Sequence, residues 1–156
     1  MKVPDLFPVT LKPYNQHASD HSLHLPCFLK GTGLLFRNDL LEAMRSFGVG
    51  NLQTFNVALF DPDNGHAYTN DKAANIVGSI AAADMTQSIA TVHPGGPVID
   101  VDFDKLVVDE SKARGALIFR LAEATNASLV HERLRGFLLA RGFDDLDFYD
   151  PKEVAL

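Results

Sequence analysis

The sequence predicts a single α+β domain: a mixed or antiparallel sheet packed with two main helices, and strand–helix–strand units that look pseudo-duplicated. Three observations predict it. The chain has 156 residues, the usual size of one hydrophobic core. Residues 38–48 and 131–142 carry apolar side chains at helical spacing, and each segment ends in glycine. Around them, short runs alternate apolar and polar residues at the period of a half-buried strand.

Composition agrees with this class. With 46% hydrophobic and 22% charged residues, the chain has the apolar surface to fold without a disulfide or metal. The formal net charge of −6 disfavours nucleic acid, whose phosphates need a clustered Lys/Arg surface, and mildly favours a basic partner. The single cysteine, Cys27, permits no intrachain disulfide. Residues 1–11 contain Pro4, Asp5 and Pro8 and lack the basic start and apolar run of a secretion signal. No run approaches the roughly 20 apolar residues that span a bilayer. A reducing cytoplasm, with no membrane contact, is the expected setting.

Residues 1–30 are rich in Pro and His and read as an irregular arm with short extended pieces. Phe28 and Leu29 can begin a strand, and Gly31-Thr32-Gly33 is a turn. Asn38 is the expected N-cap of the first helix, because its side-chain oxygen can accept from an unpaired backbone N–H. Leu40, Leu41, Met44 and Phe47 share one face of that helix, and Gly48 can close it in the left-handed conformation. Residues 51–60 read as a strand, followed by the turn Asp61-Pro62-Asp63-Asn64-Gly65. Residues 75–83 are apolar and small, and fit either a buried strand or a buried helical segment. A Pro/Gly loop follows at 93–97. Then Asp100, Asp102 and Asp104 alternate with Ile99, Val101 and Phe103, as in a strand with one wet, acidic face. Residues 109–115 read as a polar turn or a single helical turn, and 116–122 as a strand. The last helix covers 131–141 with Leu134, Phe137 and Leu138 on one face; Gly142 ends it, and 146–149 reads as a closing strand.

Two segments align without gaps at an offset of 94 residues, the separation of Leu35 from Leu129. Leu40 then matches Leu134, Gly48 matches Gly142, Leu52 matches Leu146, and Phe55 faces Tyr149. Duplication and the chance likeness of two helix–Gly–strand units both remain open. Duplication predicts two helices related by pseudo-symmetry on one sheet.

Three constellations could carry chemistry. His17, His21, His24 and Cys27 are zinc-ligand types at one-face helical spacing, but Pro26 would interrupt such a helix. A solvated arm with an incidental cysteine is the preferred reading, so no metal and no cofactor are expected. Asp100, Asp102 and Asp104 share one strand face. They fit a solvated face that discourages edge pairing, or a contact for a basic partner; a cation is third, because no Ca²⁺-loop pattern surrounds them. Asp144, Asp145, Asp147 and Asp150, with Asp61 and Asp63 from the equivalent end of the first repeat, could build one acidic rim; an ordinary soluble loop is the preferred alternative. No Gly-x-Ser-x-Gly elbow or Walker loop is present, so catalysis is not expected. Cys27 beside Pro26 and Phe28 reads as a small buried hydrophobe.

The second half carries a resemblance. Asn75-Ile-Val-Gly-Ser-Ile-Ala-Ala-Ala-Asp-Met-Thr-Gln-Ser88 resembles a segment of immunity protein family eleven, found beside bacterial polymorphic toxins. Leu106-Val-Val-Asp-Glu110 and Ile118-Phe-Arg-Leu-Ala-Glu123 resemble that family's acidic strand end and its Phe-Arg-Leu strand. Leu129-Val-His-Glu-Arg-Leu134, running into Arg141-Gly-Phe143, resembles its closing helix and Gly turn. The likeness covers residues 56–151 and is densest over 75–149; residues 1–50 match less well. It implies an immunity-like domain over 1–156 that binds and neutralises a cognate toxin effector, of the kind delivered by type VI or contact-dependent secretion in interbacterial competition. An acidic face would meet a basic toxin surface, with Phe55, Phe60, Phe143 and Tyr149 as candidate anchors. Two alternatives stand beside it: a small metal-dependent enzyme using residues 17–27, and an adaptor for a partner other than a toxin.

Overall fold

The computed structural model describes residues 7–10 (backbone alone), 27–30, 33–63, 65–96 and 99–156. In chain order the elements are β1 (Phe7–Thr10), β2 (Phe28–Lys30), β3 (Leu34–Arg37), α1 (Asn38–Phe47), β4 (Leu52–Phe60), β5 (Ala67–Tyr68), β6 (Asp71–Ile76), β7 (Ser79–Ile80), β8 (Ile89–Val92), β9 (Val101–Lys105), α2 (Glu110–Ala113), β10 (Ile118–Leu121), β11 (Ser128–Val130) and α3 (Glu132–Ala140). The fold is α+β, as expected.

The largest sheet runs β1-β4-β6-β3-β2, with β5 also paired to β4. Its β1–β4 pair is parallel and its other pairs are antiparallel, so it is mixed. A second sheet runs β11-β10-β7, and β8 and β9 form a separate two-stranded ribbon. Residues 75–83 resolve as extended chain: they close β6, turn at Val77-Gly78 and form β7.

Strand β10 lies between two apolar clusters. Ile118 joins Leu40, Leu41 and Met44 of α1 and Leu134 and Leu138 of α3. Phe119 and Leu121 point the opposite way, as strand alternation requires, and join Val101, Phe103 and Leu106. Arg120 falls on the first face. Its guanidinium donates to the Ile76 carbonyl, at 2.9 Å from Nη2, and to the Asn75 side chain. The second sheet is thereby tied to the end of β6.

The 94-residue offset survives in part. Arg37 and His131 occupy equivalent N-cap positions with nearly the same backbone, at φ −66°, ψ 146° and φ −66°, ψ 141°. Gly48 and Gly142 follow the two helices with φ of 113° and 86°, which a side chain would strain. The helices meet through Phe47 and Phe137, stacked with centroids 4.4 Å apart. They do not share one sheet: β3 enters α1 from the large sheet, whereas β11 enters α3 from the second. The expected closing strand at 146–149 is irregular. Leu146 and Phe148 do pack on the first cluster, so the alternation signalled burial without a strand partner.

The N-cap of α1 also differs from expectation. Arg37 ends β3 with extended backbone and passes directly into the helix, which makes Asn38 the first helical residue. Asn38 donates its backbone N–H to the Asn70 carbonyl at 2.9 Å. Asp39 accepts from the Leu40 N–H and from Arg37 Nε, both at 2.8 Å, and does part of the work of a cap.

The two-sided burial of β10 predicts where stability resides. Leu121→Ala should lower the unfolding free energy by about 2–5 kcal/mol in urea titration. Tyr149→Ala, at a side chain 72% exposed, should change it by no more than about 0.5 kcal/mol.

Candidate functional site

The β8–β9 ribbon exposes both apolar and acidic side chains. Its register pairs Thr91 with Asp102 and Val92 with Val101, with a bulge between Ile89 and Ala90. On β9, Val101 and Phe103 are buried while Asp102 and Asp104 are exposed, and Asp100 is exposed just before it. The expected acidic face therefore forms as read. The ribbon also exposes Ile89, Val92 and Ile99, by 59%, 56% and 58%; Val92, paired with Val101, lies on the face opposite Asp102. Sequence reasoning missed β8. The signal was present: the β-branched Ile89-Ala-Thr-Val92, then a Pro/Gly loop and an alternating run, is a hairpin pattern.

His93 crosses the outward face. Its Nε2 lies 2.7 Å from Asp102 Oδ2, and that hydrogen bond and the carboxylate's charge lift its pKa above the usual imidazole value. A protonated His93 offsets one carboxylate, so the face becomes less negative as pH falls. Beneath the ribbon, the buried Glu123 accepts the Ala83 N–H through Oε1 at 3.2 Å, and its own backbone carbonyl accepts from the Val101 N–H at 3.1 Å.

Several of the second acidic set are taken up by local structure. Asp61 is buried, at 3% exposure, and its carboxylate accepts the Asp63 N–H at 2.9 Å, so it shapes its own turn. Asp145 is committed to Cys27: Oδ2 accepts the Cys27 N–H at 2.7 Å and Oδ1 the thiol at 2.9 Å. Asp150 accepts the Lys152 N–H at 2.9 Å within a turn. Asp63, Asp144 and Asp147 are exposed, and no hydrogen bond or ion pair joins residues 61–63 to 144–150 among the described residues. Of the candidate anchors, Phe143 is core, Phe55 is half-buried, Phe60 is 43% exposed and Tyr149 is exposed.

His17, His21 and His24 lie outside the described residues. Cys27 is fully buried. Burial, then the hydrogen bond and charge of Asp145, push its thiol from 9.0 up to about 12. At neutral pH it is a protonated donor, not a nucleophile. Burial acts against ionisation of Asp145, but the donors of Cys27 outweigh it and hold the carboxyl below its usual value. Among the described residues, no group of three or more His, Cys, Asp or Glu is placed to hold a metal ion. None of the described helices is long and apolar enough to cross a membrane. The chain matches no family model and no curated protein.

The Cys27 pKa sets a pH dependence. A folded value raised above the unfolded one contributes stability that is complete below about 9 and lost as pH climbs toward about 12. The wild-type protein should lose more unfolding free energy over that window than Cys27→Ala, measured by urea titration at matched pH. Equal slopes would show that the thiol is not the titrating group.

Proposed function

We propose that this protein is an immunity-type binder that neutralises a cognate bacterial toxin by covering it with the β8–β9 ribbon. The observation that carries this reading is the exposed Asp100, Asp102 and Asp104 face of a thin ribbon that also exposes Val92 on its opposite face and Ile89 and Ile99 at its two ends. A ribbon that exposes carboxylates on one face and apolar side chains on the other and at its ends suits a protein contact better than a solvated strand. The carboxylates would steer a basic toxin surface and set specificity, and the apolar side chains would supply the affinity. The resemblance of residues 75–88, 106–110, 118–123 and 129–143 to immunity protein family eleven supports a toxin as the partner. Those segments run through β7, β10, β11 and α3, and of these β10 packs beneath the ribbon through Phe119 and Leu121. A cytoplasmic setting, in the cell that makes the toxin, belongs to the same proposal.

The test is co-expression with a toxin encoded in the neighbouring reading frame. The wild-type chain should restore growth and co-elute with the toxin. The triple variant Asp100→Lys, Asp102→Lys, Asp104→Lys should keep its circular dichroism spectrum and slow association by about tenfold or more at low salt. Asp144→Lys with Asp147→Lys should leave binding unchanged. Absence of a complex with the wild-type chain would end the toxin reading, and full binding by the triple variant would move the contact elsewhere.

A further inference from the structure

We infer that the free edge of β8 is a strand-addition site that takes an extended, basic segment of the partner. This rests on the reading above only in taking the ribbon as the contact surface; the partner need not be a toxin.

The two edges of the ribbon differ. On the β9 side, Phe103 exchanges both backbone bonds with Leu156 at 2.8 Å, and the Val101 N–H donates to the Glu123 carbonyl. Those groups point away from β8, and that edge is occupied. In an antiparallel pair, residues opposite one another turn their backbone groups the same way, both inward or both outward. Ala90 lies opposite Phe103 and Val92 opposite Val101, so both direct N–H and C=O to the far side of β8. The His93 N–H, donating inward to the Asp100 carbonyl at 2.9 Å, fits this alternation. Among the described residues, none bonds the outward groups of Ala90 and Val92, and β8 pairs only with β9.

Sheet edges are usually blunted by Lys, Pro, a bulge or a covering segment; β8 has a bulge at Ile89–Ala90, beyond which Ala90 to Val92 keep a regular register. Residues 89–92 contain neither Lys nor Pro, and Ile89 and Val92 stand in solvent. Two outward N–H and C=O pairs with exposed β-branched side chains form a template for an incoming strand.

Charge identifies the occupant. A strand added to β8 would lie about two strand spacings, roughly 10 Å, from β9. Lys and Arg side chains on its outward face can reach across β8 toward Asp102 and Asp104. Its alternate side chains would meet Val92 on the opposite face. The fitting segment thus alternates basic and apolar residues. A second copy of this chain fits poorly, because it would bring its own aspartates to the same face.

The probe is a capped octapeptide alternating lysine and valine, with a glutamate–valine octapeptide as its counterpart, titrated into the ¹⁵N-labelled full chain. The lysine peptide should slow amide exchange at Ala90 and Val92 and bind about tenfold or more tightly than the glutamate peptide. Val92→Pro removes the outward donor together with the valine side chain and should cut binding by about tenfold with the melting temperature held. If that variant fails to fold, Ile89→Lys places a like charge at the edge and should act in the same direction. Absent protection at Ala90 and Val92, equal binding of the two peptides, undiminished binding by folded variants, or dimerisation through β8 in sedimentation would each overturn the inference. Peptide binding without toxin binding would remove the toxin reading alone. Toxin binding that leaves the β8 amides unprotected would remove strand addition alone.

Discussion

Strand β10 must be dry on both faces, and the rest of the structure is arranged to keep it so. Ile118 packs on the helices, and Phe119 and Leu121 pack under the ribbon. Each such side chain contributes about 1.5–3 kcal/mol when fully buried. Arg120 is the cost of running a strand through this position, since a half-buried guanidinium needs acceptors. The end of β6 supplies them through the Ile76 carbonyl and Asn75. The placement of β6, the seating of α1 and α3, and the attachment of the ribbon meet at these four residues.

The helices and the acidic strand were legible because their patterns have one physical cause. Leu40, Leu41 and Met44 recur at helical spacing because they face one cluster, and Val101 and Phe103 alternate with Asp102 and Asp104 because one face is wet. Strand β6 was not legible. Asp71-Lys-Ala-Ala-Asn-Ile76 has little strand preference, and pairing with β3 and β4 on both sides holds it in the sheet. Residues 146–149 erred the other way, since burial of Leu146 and Phe148 imitates a strand without a neighbour to pair with. Of the candidate site residues, the aspartates of 100–104 were placed correctly on an exposed face. Asp61 and Asp145 were not separable from them by sequence, because a carboxylate that shapes a turn or receives a distant thiol looks like any other.

The ribbon combines two properties that seldom coexist in one small element. It is fastened along one side by Glu123 and Leu156 and by the burial of Val101 and Phe103, so its backbone is held in position. Among the described residues, nothing pairs with its other side, and its acidic face is exposed. A surface held rigid before a partner arrives loses little conformational freedom on binding. Its three carboxylates discourage pairing between like copies.

The Cys27–Asp145 contact has a consequence for redox chemistry. It joins residues 118 positions apart. A thiol that is fully buried, protonated and already donating offers almost no thiolate to a peroxide, a disulfide or an electrophile. The only sulfhydryl in the chain is therefore shielded while the fold persists. A lone cysteine is often taken as a mark of a reducing compartment, but a thiol this buried and protonated would resist oxidation in either setting and so carries little diagnostic value.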